Sequence, residues 1–304
     1  MTQTPSPDLS IVVPVYNEAG NIVPLVAEIR EVMLSLHRPF EIVYVNDGST
    51  DATGAQLRAL AATEPRLRII DLDGNFGEAA ALSAGFRAAR GAVIVTLDGD
   101  GQNDPRDIPD LLAELERGYA VVTGWRRARR EGWWLRVVPS RLANRLIAAL
   151  SGVPVHDNGC GLKVYRREIV TRAVLPPGMH RFIPAIFGVT AGQVAERSVN
   201  DRHRQAGQSH YGIGRALVVL RDVCALPFII GNQRGAEPTF AGIGATAACI
   251  ALYGAWNHHY PLSGIGAALA FLGLVIWWNL RRFNRAQREG VYRVRRQGSA
   301  AEGL

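Results

Sequence analysis

From Ser10 onward, hydrophobic and polar positions follow two alternating rhythms. Short β-branched runs bounded by turn residues recur between longer stretches whose apolar positions keep a helical period. The runs Ile11–Val15, Glu41–Val45, Leu67–Leu72, Ala92–Leu97 and Tyr119–Thr123 are the expected strands. Between the first two, Ile22, Leu25, Val26, Ile29, Val32, Met33 and Leu36 mark one face of a helix. Further helices are expected over Ala52–Ala62, with Asp51 as N-cap, from Glu78 to a C-terminal cap at Gly91, and over Asp107–Arg117. Strands alternating with helices predict an α/β fold with a Rossmann-like, mostly parallel sheet.

After Gly124 the alternation stops. Arg126, Arg127, Arg129, Arg130, Arg136, Arg141 and Arg145 stand against a single acid, Glu131. Leu135, Val138, Leu142, Leu146 and Leu150 recur between those arginines at helical spacing, with Trp133 and Trp134 at the entrance. The pattern reads equally as an amphipathic helix on a membrane surface and as an ordinary helix packed on the domain.

Two uncharged apolar segments, 239–256 and 262–280, are each close to the roughly 20 residues that a bilayer requires. Neither has the polar face of a soluble surface helix. Their connection, Asn257 to Pro261, lacks Lys and Arg, whereas Arg234 precedes the first segment and Arg281, Arg282, Arg285 and Arg288 follow the second. The positive-inside rule then places both termini in the cytoplasm, as expected of a multi-pass protein of the cytoplasmic membrane. A Gly-Ile-Gly-Ala run in each segment, at Gly242 and Gly264, permits close helix contact and admits a homo-oligomer. The expected organisation is a folded domain over 1–212, an interfacial segment over 213–238, spans at 239–256 and 262–280, and a basic tail over 281–304.

The chain has 304 residues and a formal charge of +7, with Lys163 the only lysine among its 34 basic residues. Guanidinium forks suit phosphates, although a GC-rich genome produces the same bias. The basic residues cluster beside the spans and not in a nucleic-acid-binding module, so nucleic acid is not an expected partner. Cys160, Cys224 and Cys249 form neither a metal knuckle nor a disulfide framework. Met1 to Leu9 lacks the basic and apolar regions of a signal peptide. The seven histidines show no metal-binding spacing.

Ligands of open α/β sheets lie beyond the carboxyl ends of the strands. Tyr16-Asn17-Glu18, Asp47-Gly48-Ser49 and Asp98-Gly99-Asp100 follow the first, second and fourth expected strands. An Asp-x-Asp pair at a strand end can hold a divalent cation that also takes oxygens from a diphosphate, as Mg²⁺ does. An EF-hand is excluded because Asn103 and Pro109 stand where its glycine and glutamate belong. Neither GxGxxG nor a Walker A loop is present, which argues against NAD chemistry and ATP hydrolysis.

Ile11-Val-Val-Pro-Val-Tyr-Asn-Glu18, Val45-Asn-Asp-Gly-Ser-Thr-Asp51 and Leu97-Asp-Gly-Asp-Gly-Gln102 resemble the successive motifs of the inverting glycosyltransferase family two, with its GT-A fold. Asp157 to Arg166, Arg204 to Tyr211 and the two terminal spans resemble its polyprenyl-phosphate branch, which includes dolichyl-phosphate mannose synthases and undecaprenyl-phosphate sugar transferases. Residues 1–212 would then be the GT-A domain. The resemblance implies transfer of a single sugar from a nucleotide-sugar donor to a polyprenyl phosphate, with inversion, supported by Mg²⁺ or Mn²⁺.

It also implies site residues. Pro14, Tyr16, Glu18, Val45 and Asp47 would hold the nucleoside, and Asp98, Gly99, Asp100 and Gln102 the donor diphosphate. Asp98, Asp100 and Gln102 would be the metal ligands. Arg126, in the Gly-x-Arg after the fifth strand, and Arg204 would contact donor or acceptor phosphate and, with Asp100, carry catalysis. His210 joins the donor set where the mannose synthases usually have lysine, a departure that argues against a mannose synthase. Arg141 and Lys163 are further candidates for the acceptor phosphate, and Lys163 reads equally as a surface or structural residue. Cys160 reads as a packed residue, since this chemistry needs no thiol. Two other classes compete: a processive polysaccharide synthase, which lacks support because Gln-x-x-Arg-Trp is absent, and a non-catalytic sugar-nucleotide sensor.

Overall fold

The computed structural model describes residues 6–127, 138–171, 174–202, 222, 226–230 and 236–295. The first four strands form as the alternation implies: β1 (Leu9–Val15), β2 (Phe40–Asn46), β3 (Leu67–Asp71) and β4 (Val93–Thr96). They are mutually parallel in the order β3-β2-β1-β4. Helices α1 (Ala19–Ser35), α2 (Thr53–Ala61), α3 (Glu78–Ala88) and α4 (Ile108–Glu116) make the crossovers and cover the sheet. Every residue of β2 is buried, as expected of a strand with helices on both faces. On α1, Ile22, Leu25, Val26, Ile29, Val32 and Met33 enter the core. The alanine-rich face of α3 lies over Val12, Val43 and Val45 in a second cluster on the opposite side.

The sheet is larger than its alternation suggested. β5 runs over Val121–Trp125, later than expected, and β6 (Lys163–Arg166) and β7 (Val194–Ser198) complete seven strands in the order β3-β2-β1-β4-β6-β5-β7. β6 is antiparallel to both neighbours, whereas β7 is parallel to β5. β6 has only Lys-Val-Tyr-Arg to signal it, and β7 is the partly exposed Val-Ala-Glu-Arg-Ser, so neither has an apolar run. Two helix ends also differ. Asp51 accepts the Thr53 N–H at 2.9 Å, so it caps α2 from one residue further out, and Gly91 packs against the Leu9–Ser10 backbone after α3 has already ended.

Helix α5 (Val138–Ser151) occupies the amphipathic stretch. Its Ile147 is buried with Met179, Phe182, Leu226, Ile229, Ala236, Ile276 and Leu280, so this helix packs into a third cluster at the base of the apolar helices. Trp133 and Trp134 lie outside the described residues, as do most of 213–238 and all of the tail beyond Arg295.

The apolar helices, Ala236–Trp256 and Tyr260–Glu289, are long and apolar enough to cross a membrane. Leu252, Trp256 and Phe271 are at least 70% exposed, unlike the side chains of a soluble core helix. In each Gly-Ile-Gly-Ala run the second glycine makes the close contact: a Cβ on Gly266 would meet the Ala251 amide at 2.7 Å, and Gly244 lies against Gly273. The second helix continues nine residues past Leu280, to Glu289. Arginine is a good helix former, and Arg285 pairs with Glu289 at 2.7 Å one turn on. Arg281 and Arg282 lie over the rings of Trp277 and Trp278, with the guanidinium 5.2 and 4.5 Å from each ring centre.

Candidate active site

The carboxyl ends of β1, β2 and β4 converge on one edge of the domain. After β1, Asn17 adopts a left-handed backbone conformation, and its side-chain oxygen accepts the Thr50 N–H at 2.8 Å. The Glu18 N–H donates to Thr53 at 2.9 Å, and its carboxylate accepts from Asn21 at 2.6 Å. These contacts lock the first two turns together and leave Tyr16 exposed beside them. Pro14 is half-buried, and Val45 is fully buried against α3.

Asp47 is buried at the end of β2, and its two carboxylate oxygens accept the N–H groups of Phe76 and Gly77, each at 2.8 Å. Burial raises its pKa even against those two bonds. Beside it Gly48 has a φ of 69°, and a Cβ there would run into the Gly74 backbone. The second and third turns therefore meet at the only residue type that fits.

At the end of β4, Asp98 is partly open to solvent although protein surrounds its carboxylate. Burial, together with the negative charges of Glu78 and Asp100, pushes its pKa up to about 7, and Arg126 and Lys163 offset this only in part. Its backbone N–H is held by the Asn103 side chain at 3.0 Å, while Asp100 accepts the Gln102 N–H at 3.0 Å. Gly99 packs against Val15 and the Pro14 carbonyl. Gly161, just before β6, lies flat against the Asp98 carboxylate, where any Cβ would overlap it.

Arg126, at the end of β5, is 12% exposed and grips Asp157 in a bidentate pair, Nε to Oδ2 at 2.8 Å and an Nη to Oδ1 at 3.1 Å. This pairing raises its pKa despite burial. Lys163 is buried on β6, and its amine donates to the carbonyls of Asn158 and Cys160. That environment is buried and not a surface position, and the Lys163 charge draws the Asp98 pKa down. Cys160 is likewise buried, its thiol pushed up to about 11 by burial, which suits packing and not nucleophilic attack.

Arg204 and His210 lie outside the described residues, and so does the side chain of Arg141 on α5. The chain leading to Arg204 is described, and it is tied to the Asp98–Asp104 loop. Asp201 forms an antiparallel bridge with Asn103, and Arg202 pairs with Asp104 at 2.5 Å and with Glu28 at 2.6 Å.

The structure adds residues that sequence reasoning passed over: Glu78, Asn103, Asp157, Gly161 and the amides of Phe76 and Gly77. Asp157 and Gly161 stood within a motif already singled out. Asn103 ends the Asp-x-Asp loop, so its closeness to Asp98 was readable. The Phe76 and Gly77 contacts join positions 29 and 30 residues from Asp47, and no local spacing reveals them.

The arrangement offers three things to a ligand: the exposed ring of Tyr16, a pair of carboxylates at Asp98 and Asp100, and the charges of Arg126 and Lys163 near them. Among the described residues no group of three or more His, Cys, Asp and Glu side chains is placed to hold a metal ion. The surplus negative charge around Asp98 nonetheless fits a divalent cation held by two carboxylates and completed by ligand oxygens.

Comparison with known proteins supports the fold and gives the family. Dodecaprenyl-phosphate galacturonate synthase from Rhizobium johnstonii is 42% identical over 81% of this chain and 75% of its own length. Undecaprenyl-phosphate 4-deoxy-4-formamido-L-arabinose transferase from Pseudomonas aeruginosa is 38% identical over 71% of this chain, which spans 63% of that relative's length. Glucosyl-3-phosphoglycerate synthase from Mycobacterium tuberculosis, solved with Mn²⁺, UDP-glucose and phosphoglyceric acid, superposes with a TM-score of 0.56 at 21% identity, covering 74% of this chain and 80% of that one. Mannosyl-3-phosphoglycerate synthase from Rubrobacter xylanophilus gives a TM-score of 0.57 at 18% identity, covering 72% and 73%. At such identity these two structures show the fold alone, the GT-A arrangement. Residues 10–172 match the family described as glycosyl transferase family 2, and the chain, a glycosyltransferase, belongs to that family.

Proposed function

We propose that this enzyme transfers one sugar from a nucleotide-sugar donor to a polyprenyl phosphate at the cytoplasmic face of a membrane, with inversion at the anomeric carbon. The observation that carries the reading is the pairing of two apolar helices with a strand-end carboxylate pair in one chain that is 42% identical to a dodecaprenyl-phosphate sugar transferase. In the reaction the bond from the sugar's anomeric carbon to the donor diphosphate breaks as a bond to the acceptor phosphate oxygen forms. The nucleoside diphosphate departs.

A phosphate monoester has a second pKa of about 6, so at neutral pH the acceptor is already an anionic nucleophile and needs no general base. The enzyme's task is electrostatic: to bring that anion to a sugar that itself carries a diphosphate. Asp98 and Asp100 would hold Mg²⁺ or Mn²⁺ with the diphosphate, and such an ion supplies charge stabilisation to the leaving group. Gln102 orients Asp100 through its backbone N–H, and Gly161 lets the Asp98 carboxylate lie against the β6 turn. Tyr16 and Asp47 face the nucleoside. Arg126 contributes fixed positive charge beside Asp98 while Asp157 holds it in place. Arg204 follows two residues after Arg202 in the sequence, and we assign it to phosphate.

The loop Asn257–Pro261 lacks Lys and Arg and the arginines gather beyond Leu280, which supports an orientation with the domain and both termini on the cytoplasmic side. The test supplies the purified protein with a panel of nucleotide sugars and two acceptors, undecaprenyl phosphate and a soluble phosphate monoester. A lipid-monophosphate sugar formed from one donor is expected. Transfer to the soluble acceptor alone would refute the lipid acceptor, and an oligosaccharide product would point to a processive synthase. Nucleotide binding without any product would leave the sensor.

A further inference from the structure

The second apolar helix returns to the catalytic domain at two points. Near its end, the Gln287 side-chain amide brackets Val174, accepting its N–H at 3.4 Å and donating to its carbonyl at 2.5 Å. The next residue, Leu175, donates its N–H to Ser83 on α3 at 2.9 Å. Past Gly290 the chain then runs back along β3, the outermost strand on its side of the sheet. The Arg295 N–H donates to the Asp71 carbonyl at 2.8 Å, the Asp73 N–H donates to the Arg293 carbonyl at 3.0 Å, and Leu72 bridges Val294 in antiparallel register. Tyr292 packs against the same cluster as Leu72 and the α3 alanines. This is β-augmentation from within the chain, covering backbone groups that an edge otherwise leaves open.

The two attachments flank one stretch of chain. Between Asp73 and Ser83 lies the turn Gly74–Gly77, whose Phe76 and Gly77 N–H groups both end on Asp47 and whose Gly74 backbone presses on Gly48. We infer that Val291–Arg295 is a positioning strand: by fixing residues 71–73 it holds the Phe76 and Gly77 amides on Asp47, so that donor affinity depends on the docked end of the membrane helix. The inference rests on the reading of Asp47 as a nucleoside contact. A tail that served only as an anchor would alter thermal stability while leaving donor binding and the Asp47 turn untouched.

The experiment uses the full chain in detergent. Arg295→Pro removes the N–H that Asp71 accepts, whereas Arg295→Ala keeps it and controls for the lost charge. The readouts are hydrogen exchange at the Phe76 and Gly77 amides and, with the donor found by the screen above, a split of KM from kcat. Arg295→Pro is expected to speed exchange at both amides and to raise donor KM, each by roughly fivefold, the worth of one backbone hydrogen bond, with kcat unchanged and Arg295→Ala matching the parent. Parental exchange and KM in a folded Arg295→Pro protein would overturn the inference, as would an equal effect from Arg295→Ala. If Arg295→Pro does not fold, Tyr292→Ala loosens the same strand through packing and is read the same way. A parent protein that makes no product would count against the proposed function, while exchange at Phe76 and Gly77 would still decide the positioning role.

Discussion

Glu41 and Asp98 are carboxylates set at opposite ends of the parallel strands of one sheet, and their surroundings treat them differently. Glu41, at the amino end of β2, accepts the Ser10 hydroxyl at 2.7 Å, an Arg68 Nη at 2.7 Å, and the Arg90 N–H and Nε at 2.7 and 3.1 Å. Burial alone would raise its pKa, but these partners more than offset that and hold it below its usual value. Asp98, at the carboxyl end, has like charges for neighbours, and burial with Glu78 and Asp100 drives it up to about 7. One end of the sheet is electrostatically satisfied and serves the fold. The other keeps negative charge that Arg126 and Lys163 offset only in part, a pattern that fits a functional site.

The comparison breaks most sharply on substitution. Asp100→Asn is expected to abolish transfer, on the order of a thousandfold or more, because several kcal/mol of charge stabilisation of the leaving group depends on the carboxylate pair. Its melting temperature should stay near that of the parent. Glu41→Gln should do the reverse: about 2–3 kcal/mol of stability lost in denaturant unfolding, as Arg68 and Arg90 lose their buried partner, with kcat of the folded protein unchanged. A variant at Glu41 that unfolds no more easily, or one at Asp100 that turns over normally, would erase the distinction.

Smaller effects sharpen it. Gly161→Ala puts a methyl group against the Asp98 carboxylate and should lower kcat/KM by about tenfold, since displacement of a group near the chemistry by a fraction of an ångström is costly. The smallest effect is a pH dependence. For an acid whose folded pKa lies above its unfolded value, stability is greatest at low pH and falls as pH rises from near 3.8 through about 7. Added Mn²⁺ should therefore raise the melting temperature by a few degrees at pH 8 and by less at pH 5. Glu41 contributes with the opposite sign, since its folded pKa is lowered and its stabilisation fades only as pH falls below about 4.5. An equal shift with Mn²⁺ at both pH values would separate Asp98 from cation binding.

Most of this architecture was legible in the sequence because it is local. β1, β2 and β4 are β-branched runs with most positions buried, and β3 is a half-buried run around Ile69 and Ile70, so each announced itself, and the turns after β1, β2 and β4 followed from strand order. β6 and β7 did not, for Lys163 and Arg166 occupy half of one and Glu196 and Arg197 stand in the other. Arg126, read as a phosphate contact, is also the partner of Asp157 across 31 residues of chain, and Arg202 pairs with Asp104 across 98; periodicity carries no information about such pairs. Lys163 was ambiguous for the same reason: a lone cation in a short motif looks alike whether it faces solvent or is buried against backbone carbonyls. The return of the tail to β3 is a matter of backbone pairing between segments more than two hundred residues apart, with no side-chain signature.

The most direct measurement is formation of a lipid-monophosphate sugar by the purified full-length enzyme with undecaprenyl phosphate and its donor, followed by mass spectrometry with Mn²⁺ present and after chelation, in the parent protein and in Asp98→Asn. Product from the parent alone, lost on chelation and restored by the ion, with Asp98→Asn folded and inactive, is the predicted result. Equal turnover by Asp98→Asn, or transfer undiminished by the chelator, would contradict the assignment of the carboxyl end of the sheet as the place where the donor diphosphate is held.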